Sequence, residues 1–208
     1  MGVVSTPCQD LRECDDIMLK GNMLHVQTVR TSGTTDDVIV IAPEDKDVQG
    51  ITEGTPVMVC GSLQTYKNMA TGKVLVYVYA DSCLEAIGGE HWEPENEVEI
   101  YGALGKGTNY RETPNGRRIT DLKIAVPCVT REGNSCYIPA VCWGNNALMV
   151  SGWEEGTRVH IKGRMQSRKY IKKLNDLPFP MEEERTAYEL SIYYVELEEE
   201  SEANYEHV

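Results

Sequence analysis

The feature that most constrains the fold of this chain is an internal repeat. EGTPVMVCGSLQTYKN begins at Glu53, and EGTRVHIKGRMQSRKY begins at Glu155. Each copy runs Glu-Gly-Thr, then alternating apolar residues, then a glycine, a leucine or methionine, and a glutamine. Because a segment repeated over this distance is typical of a duplicated supersecondary unit, the sequence predicts two domains of similar fold.

Each copy of the repeat is followed by a turn-rich or polar interval and then by a second β-rich run. These runs are KVLVYVYA at 73–80 and AYELSIYYVEL at 187–197. Upstream, IMLKGNM at 17–23 is similar in type to VEIYGAL at 98–104, and we interpret both as first strands. We therefore predict two all-β units, joined by an acidic linker that contains glycine and proline and followed by a disordered acidic tail. The predicted ranges are 1–88 for a degenerate first unit, 89–95 for the linker, 96–197 for the second unit and 198–208 for the tail.

The repeat strand of the second unit alternates with a period of two, which indicates a strand with one buried face. The inward positions are Val159, Ile161, Gly163 and Met165. A glycine within a strand is typical of a bulge or a tight bend, and we expect one at Gly163. The outward positions are Arg158, His160, Lys162, Arg164, Gln166 and Arg168.

The other segments of the second unit predict its topology. Pro114-Asn115-Gly116 predicts a hairpin turn, and residues 137–144 predict a strand. Residues 145–156 have room for a short helix that is capped by Asn145 or Asn146 and ends near Gly152. The resulting order of strand, hairpin, strand, short helix, strand, long loop and strand is that of the OB-fold. The predicted fold class is therefore all-β, with tandem OB-fold barrels, each a five-stranded Greek-key barrel with a short helix between strands 3 and 4.

The charge of the chain is unevenly distributed. The formal net charge is -13, but residues 100–173 hold 13 Lys and Arg against 5 Asp and Glu, whereas the flanking segments are strongly acidic. A local positive field attracts a polyanion whatever the sign of the total charge. The charge pattern therefore favours a polyanionic partner for the second unit.

The second unit resembles the bacterial single-stranded DNA-binding proteins. The matching segments are NEVEIYGALGKGTNYRETPNGRRITDLKIAV, the strand that ends CWGNNA, EEGTRVHIKGRMQSRKY and RTAYELSIYYVELE. Their order and spacing agree over roughly half of the chain. Together with its degenerate first unit, the chain resembles the two-OB form of this family from Gram-positive anaerobes.

The resemblance implies an OB-fold, sequence-independent binding of single-stranded DNA and assembly into homo-oligomers. It also implies a role in protecting single strands during replication, recombination and repair, in the cytoplasm and on the nucleoid. The family's base-stacking aromatics fall at Trp143 and Tyr170, and its backbone-contacting basic positions fall within 106–118 and 162–173. The chain departs from the family in its tail, which ends in SEANYEHV in place of the usual Pro-Phe tip.

A second departure lies after Arg111, where Glu112 and Thr113 stand in place of the aromatic residue that is common in the family. A protein that binds single strands of any sequence needs cations along a groove and flat rings on which bases stack. We expect Trp143, Tyr170 and Tyr110 to provide the rings, although each ring would also suit a core, and a single cation is more often only solvated. The predicted nucleic-acid-binding residues are Lys106, Tyr110, Arg111, Arg117, Arg118, Trp143, Arg158, Lys162, Arg164, Gln166, Arg168, Lys169, Tyr170 and Lys172.

The first unit lacks this positive charge on its matching strand. Its outward positions are Pro56, Met58, Cys60, Ser62 and Gln64. Because an exposed apolar strand face is a liability unless it is covered, we expect the first unit to serve mainly in assembly, within the chain or between chains. The alternative is weak DNA binding through Tyr66 and Lys67.

The sequence excludes several other classes of function. Seven cysteines, without a CxxC pair or a histidine cluster, argue against a zinc site and a disulfide framework. GALGKGT at 102–108 lacks the first glycine and the Ser or Thr of a phosphate-binding loop, and no catalytic motif is present. No run approaches the ~18 apolar residues of a membrane span, and the N-terminus shows no secretory signal. We therefore expect a cytoplasmic protein with no enzymatic activity, no metal, no cofactor and no membrane partner.

Two other non-catalytic functions stay open on the sequence alone. One is a primosomal or RNA-binding OB module, and the other is a tandem-OB adaptor that binds only proteins. The tail LEEESEANYEHV has two interpretations as well. It is either a solubilising end or an acidic arm that competes with DNA for the basic groove or recruits replication and repair proteins.

Overall fold

The computed structural model describes residues 1–11, 19–48, 50–86, 95–174 and 181–198. The first unit is a sheet built from β1 (Gly2–Val4), β2 (Gln9–Asp10), β3 (Asn22–Val29), β4 (Thr35–Ala42), β5 (Pro56–Lys67) and β6 (Val74–Glu85). The second unit is built from β7 (Val98–Leu104), β8 (Asn109–Glu112), β9 (Arg118–Pro127), β10 (Ser135–Trp143), α1 (Gly144–Ser151), β11 (Arg158–Leu174) and β12 (Met181–Leu197).

Both sheets close into barrels by the same pairing. The parallel pairing of β4 with β6 at Val40 and Val78 closes the first barrel, and that of β10 with β12 at Ala140 and Leu190 closes the second. The other neighbouring strands are antiparallel, and α1 lies between β10 and β11 as an OB-fold requires. The predicted fold class, all-β with tandem OB-fold barrels, is confirmed.

The alternation of the repeat strand is borne out on its inward face. Val159, Ile161, Gly163 and Met165 are all buried. The bulge predicted at Gly163 is confirmed, because the register of β11 against β12 shifts between Lys162 and Gly163. The first barrel has the same irregularity between Cys60 and Gly61, so the bulge is part of the repeated unit.

The start of the first barrel differs from the prediction. Its first strand is β1, not residues 17–23, because β1 pairs with both β3 and β5 and therefore occupies the position that 98–104 holds in the second barrel. Gly2 allows this close approach, since an added Cβ would lie 2.5 Å from the carbonyl oxygen of Gln27. The expected strand lies partly outside the described residues, and Asn22 and Met23 begin β3.

The short helix is also present with different boundaries. The residue before α1 is Trp143, which makes no capping hydrogen bond, so neither Asn145 nor Asn146 caps the helix. The side chain of Asn146 instead donates to the backbone oxygen of Tyr193 on β12. The predicted end is confirmed, since Gly152 follows the last helical residue. No helix occupies the equivalent place among the described residues of the first barrel.

The two barrels are joined by contacts that involve a hairpin arm of each. We define the first arm as residues 63–67 and 74–77 and the second arm as residues 164–174 and 181–189. Among the described residues, the strands of each arm pair only with each other. In the first arm, the Gln64 side chain donates to the backbone oxygen of Pro127 at 3.1 Å and accepts from the backbone N–H of Val129 at 3.0 Å.

The second arm makes the reciprocal contact. The backbone N–H of Ser167 donates to Asp36 at 3.0 Å, and the Ser167 hydroxyl accepts from the backbone N–H of Asp37 at 2.8 Å. Between the arms, the Asn96 side chain bonds to Thr28 of the first barrel and to the backbone of Met165 in the second. Buried apolar residues of both barrels form one continuous cluster, so the two domains share a core. The predicted linker at 89–95 falls outside the described residues except for Glu95.

We predict that Gly163→Ala destabilises the protein without changing its fold. An added Cβ would lie 2.5 Å from the Ser191 carbonyl oxygen and 3.0 Å from a Leu190 methyl carbon, so the β11–β12 pair would have to shift. Overpacking of this kind costs about 1–3 kcal/mol of unfolding free energy, which urea denaturation followed by circular dichroism measures.

The matched control is Gly152→Ala. There the nearest atom to the added Cβ is a carbonyl oxygen 3.7 Å away, which is an ordinary contact, so its unfolding free energy should change by less than about 1 kcal/mol. Equal unfolding free energies for the two variants would contradict the steric role that we assign to Gly163.

Candidate nucleic-acid interface

The outer side of β10 carries two exposed aromatic rings. Trp143, at the end of the strand, is 42% exposed, and Tyr137, six residues earlier, is 51% exposed. Because side chains alternate along a strand, both rings point to the same side of the sheet, about 20 Å apart. The interpretation of Trp143 as a core residue is therefore excluded.

Tyr137 is a candidate that the sequence reasoning missed. Its ring lies close to the backbone at Gly105, where an added Cβ would be 3.1 Å from Tyr137 Cδ1 and 3.3 Å from Lys123 Cβ. A flat ring and an exposed lysine thus flank the same glycine. The signal was present in the alternation of YIPAVCW, which places Tyr137 and Trp143 on one face.

The cations nearest to Trp143 come from the hairpin of β8 and β9. The side chains of Arg117 and Arg118 line a shallow pocket together with Trp143, and two glycines, Gly116 and Gly144, complete its wall. The predicted turn at 114–116 is confirmed, since Thr113 and Arg117 are bonded across it at 2.9 Å. Its position is what brings the two arginines to the tryptophan.

Other predicted cations of this hairpin are partly neutralised. Arg111 donates to Asp121 at 2.9 and 3.2 Å, and Arg118 lies 3.6 Å from Glu112. The Tyr110 hydroxyl also donates to Glu112, which raises the pKa of that tyrosine. Among the described residues, the exposed side chains of Lys106 and Arg117 have no ion-pair partner. These two are the cations most available to a phosphate.

The second arm brings together the next group of predicted residues. Tyr170 is partly exposed opposite Arg185, and the guanidinium of Arg168 lies 5.8 Å from the centre of the Tyr170 ring. Lys169 bonds to Glu184 at 3.0 Å, and Lys172 lies opposite Glu183 in the register. The arm therefore has one cationic strand and one largely acidic strand, and its aromatic ring stands on the cationic strand.

The outward cations of the repeat strand form more ion pairs within the protein than the sequence suggested. Arg158 bonds to Glu198 at 2.8 Å, and Lys162 lies 3.2 Å from Glu99. The pairing of β11 with β7 places Lys162 directly opposite Glu99, so the strand register supplies a carboxylate that the alternation of one strand does not reveal. This part of the face is charge-balanced.

Gln166 and Arg164 are less exposed than their predicted outward positions suggest. Gln166 is 7% exposed and donates to Glu189 at 2.7 Å. The Nε of Arg164 is buried without a hydrogen-bond partner, 4.0 Å from Asp36 of the first barrel. The expectation that Gln166 faces solvent is therefore wrong, whereas the Arg164 side chain is partly exposed and only its Nε is buried. The matching Gln64 of the first barrel is buried as well, whereas Met58 and Cys60 are exposed as predicted.

A histidine lies at the centre of the charge-balanced face. His160 bonds to Glu196 at 2.9 Å and to Glu99 at 2.7 Å, and its ring stacks on Tyr101 with centres 4.3 Å apart. The hydrogen bonds to Glu196 and then Glu99 raise the pKa of His160. The pKa of Glu99 is lowered first by its hydrogen bond with His160, and the pKa of Glu196 is lowered first by a hydrogen bond from Tyr194 and then by that with His160. Tyr194 meets the ring edge-on.

Two other kinds of site find no support in the described part of the chain. It holds no cluster of three or more His, Cys, Asp or Glu side chains suited to a metal ion. No helix within it has the length and apolar character needed to cross a membrane. Of the predicted acidic tail, only Glu198 is described, and it pairs with Arg158.

Comparison with known proteins agrees with this geometry. The sequence model of the Single-strand binding protein family matches residues 95–197. A crystal structure of a deletion mutant of the single-stranded DNA binding protein from Thermus aquaticus is similar, with a TM-score of 0.67, 17% identity and coverage of 99% of this chain and 95% of that chain. The wild-type protein from the same organism gives a TM-score of 0.66 and 16% identity, covering 95% of this chain and 90% of that chain. No curated protein sequence matches the chain significantly.

We predict that His160 titrates above the ordinary histidine pKa of about 6.5. A raised pKa in the folded state means that the ionised form contributes stability below the unfolded pKa, and this stability is lost as the pH rises through the folded pKa. His160→Gln should therefore cost more stability at about pH 6 than at about pH 8. NMR titration of the imidazole C–H signals measures the midpoint directly.

Glu196→Gln is the matched test of the cause. Removing the charge of Glu196 should lower the titration midpoint of His160, while the hydrogen bond to Glu99 still holds the imidazole ring in place. A wild-type midpoint at or below the ordinary value, or a midpoint unchanged in Glu196→Gln, would contradict the assignment.

Proposed function

Because the chain belongs, through residues 95–197, to the single-strand binding protein family, we propose that its second barrel binds single-stranded DNA without sequence preference. The observation that carries the proposal is the exposure of three aromatic rings, Trp143, Tyr137 and Tyr170, beside cations of the same domain. Bases of any sequence stack on such rings, and the cations contact the phosphates between them.

The proposed surface consists of the outer face of the β8–β9–β10 sheet and the cationic strand of the second arm. Its rings contribute about 1–3 kcal/mol per stacked base, and its cations release counterions from the DNA, so binding weakens as salt rises. The residues that we assign to it are Lys106, Tyr110, Arg111, Arg117, Arg118, Lys123, Tyr137, Trp143, Arg168, Lys169, Tyr170 and Lys172. Arg158 and Lys162 are left out because they lie opposite β7, on the charge-balanced face, outside this surface. Arg164 and Gln166 are left out because Arg164 lies against Asp36 of the first barrel and Gln166 is buried.

The chemistry of this surface fits a protein that covers single strands wherever they arise. We place it in the protection of single-stranded DNA during replication, recombination and repair, on the nucleoid in the cytoplasm. No covalent step is part of this function, so no cofactor is required. The acidic tail is a candidate contact for replication and repair proteins.

We also propose that the first barrel supports assembly into a homo-oligomer. Met58 and Leu84 form a cross-strand apolar pair that is exposed on its outer face, and Cys60 lies next to them on β5. An exposed apolar strand pair of this kind is more stable when another protein surface covers it. Its contribution is separate from that of the first arm, whose Gln64 bonds to the backbone of the second barrel.

The first prediction from this function concerns DNA. Bound oligo-dT should quench the tryptophan fluorescence of the protein, and the affinity should fall steeply between about 50 and 200 mM salt. Trp143→Ala should weaken binding by about 5- to 150-fold, which corresponds to the loss of one stacked base at about 1–3 kcal/mol. Fluorescence anisotropy of labelled oligo-dT measures all the variants.

Tyr101→Ala is the matched control, because it removes an exposed ring from the charge-balanced face of the same barrel. Its affinity should stay within about twofold of the wild type. Competition by duplex DNA and by RNA of equal length tests the class of ligand. Failure to bind oligo-dT, or stronger binding of RNA, would reject the proposal.

The second prediction concerns assembly. Light scattering should give a molar mass that is a multiple of the 23.3 kDa chain mass, and Met58→Lys should reduce it by placing a charge within the apolar pair. Lys67→Met, at an exposed position beyond the apolar pair on the same strand, should leave the mass unchanged. A wild-type mass of one chain would rule out the homo-oligomer.

A further inference from the structure

The second arm is a two-stranded ribbon that extends beyond the sheet of its barrel. From Arg164 onwards β11 pairs only with β12, and before Leu190 β12 pairs only with β11, within the described part of the chain. An isolated two-stranded hairpin is at best marginally stable in water. Its conformation therefore depends on what holds its base.

One rung at the base of the arm bonds both of its strands to the first barrel. Ser167 and Tyr188 face each other across the arm. Ser167 bonds through its backbone N–H to Asp36 at 3.0 Å and through its hydroxyl to the backbone of Asp37 at 2.8 Å. The Tyr188 hydroxyl donates to the Asp37 carboxylate at 2.9 Å. Two adjacent residues of β4 thus fix both strands of the ribbon.

The contact is built around a buried charge. Asp36 is 0% exposed, and Arg30 donates to both of its oxygens. The Nε of Arg164 from the second barrel lies 4.0 Å from Asp36 Oδ2, the oxygen that also accepts from Arg30 Nε. A buried carboxylate is costly unless it is paired. Arg30 pairs Asp36 within the first barrel, and the docked arm adds the Ser167 N–H and the charge of Arg164.

The neighbouring carboxylate has its own partners. His25 of β3 bonds to Asp37 at 2.7 Å on the oxygen that also accepts from Tyr188. Burial alone would raise the pKa of Asp37, but hydrogen bonds from His25, Tyr188 and Ser5 outweigh it and hold the pKa below its usual range. Asp37 therefore remains an ionised acceptor for the Tyr188 hydroxyl at neutral pH.

We propose that Asp36 is a positioning residue for single-stranded DNA binding: from the first barrel, it fixes the base of the second arm and so sets where Arg168 and Tyr170 meet the DNA. The inference rests on the proposed function of the second barrel. Tyr170 stands three residues beyond Ser167, about 10 Å along the strand, so a loosened rung displaces the ring directly. DNA that binds a loosened arm must also order it, which weakens binding.

The test uses the full chain and three substitutions. Asp36→Asn keeps the shape of the side chain but removes the charge between Arg30 and Arg164, and it should weaken oligo-dT binding by about 3- to 30-fold. Asp45→Asn is the control, because it changes the net charge by the same amount at an exposed side chain of the first barrel. Its affinity for oligo-dT should stay within about twofold of the wild type. Ser167→Ala removes one docking bond without disturbing the buried charge, and it should weaken binding by about 2- to 5-fold.

A double-mutant cycle separates positioning from general destabilisation. In a background of Arg168→Ala with Tyr170→Ala, Asp36→Asn should reduce the affinity for oligo-dT by less than about twofold, because the side chains that Asp36 positions have been removed. Thermal denaturation reports whether each variant is folded. If Asp36→Asn does not fold, Ser167→Ala is taken through the same cycle and decides the question.

The outcomes distinguish the two proposals. A wild-type chain that fails to bind oligo-dT overturns the proposed function. A wild-type chain that binds, with folded Asp36→Asn and Ser167→Ala binding equally well, overturns the positioning role alone. An equal loss of affinity from Asp36→Asn in the wild-type and the Arg168→Ala, Tyr170→Ala backgrounds also overturns the positioning role, because the effect would then not depend on Arg168 and Tyr170.

Discussion

The structure depends on the reciprocal docking of two hairpin arms. Each barrel extends a ribbon whose base is bonded to the other barrel, through Gln64 on one side and Ser167 on the other. Both contacts satisfy buried polar groups with partners at fixed positions. Because an unsatisfied buried group is costly, such bonds define one relative placement of the barrels, which the shared apolar core alone would define less sharply. The two domains consequently behave as one packed unit.

The distribution of charge follows from the same arrangement. The chain is acidic overall, and carboxylates from β7, from Glu198 just after β12 and from the first barrel lie against cations in the first part of β11. The cations left near solvent are those of the β8–β9 hairpin and the tip of the second arm. A local field is set by the charges that lie nearby and not by the total charge. An acidic protein thereby keeps a positive surface on one domain.

Much of the fold was visible in the sequence because it is encoded locally. The alternation through Val159 and Ile161, the glycine at the bulge and the turn at 114–116 all depend on near neighbours, and each was confirmed. Gln166 was misplaced because it bonds to Glu189 across the arm, and the contact of Arg164 with Asp36 of the other barrel was not visible in the sequence. Strand register and domain packing are non-local, and a single strand pattern does not contain them. The first strand was misplaced because β1 is only three residues long.

The candidate site was only partly visible for a related reason. Trp143 and Tyr170 were found through a family resemblance, whereas Tyr137 needed the two faces of β10 to be assigned. Alternation alone predicts the side of the sheet on which a ring lies, but not whether another element covers that side. The exposure of Tyr137 became evident only when the barrel showed that the outer side of β10 is open there.

The two copies of the repeat show how one scaffold has been used for two purposes. Gln64 and Gln166 occupy equivalent positions and are both buried, so the identity they share reflects packing. The copies diverge beyond this point. Asn68 stands where the second copy has Tyr170, and it accepts the backbone N–H groups of Ala70 and Thr71, which ends the first arm in a tight turn. The second arm continues as a strand to Leu174 and carries the cations and the ring. The shared portion of the arm therefore docks the barrels, and the extension found only in the second copy carries the groups that we propose for DNA binding.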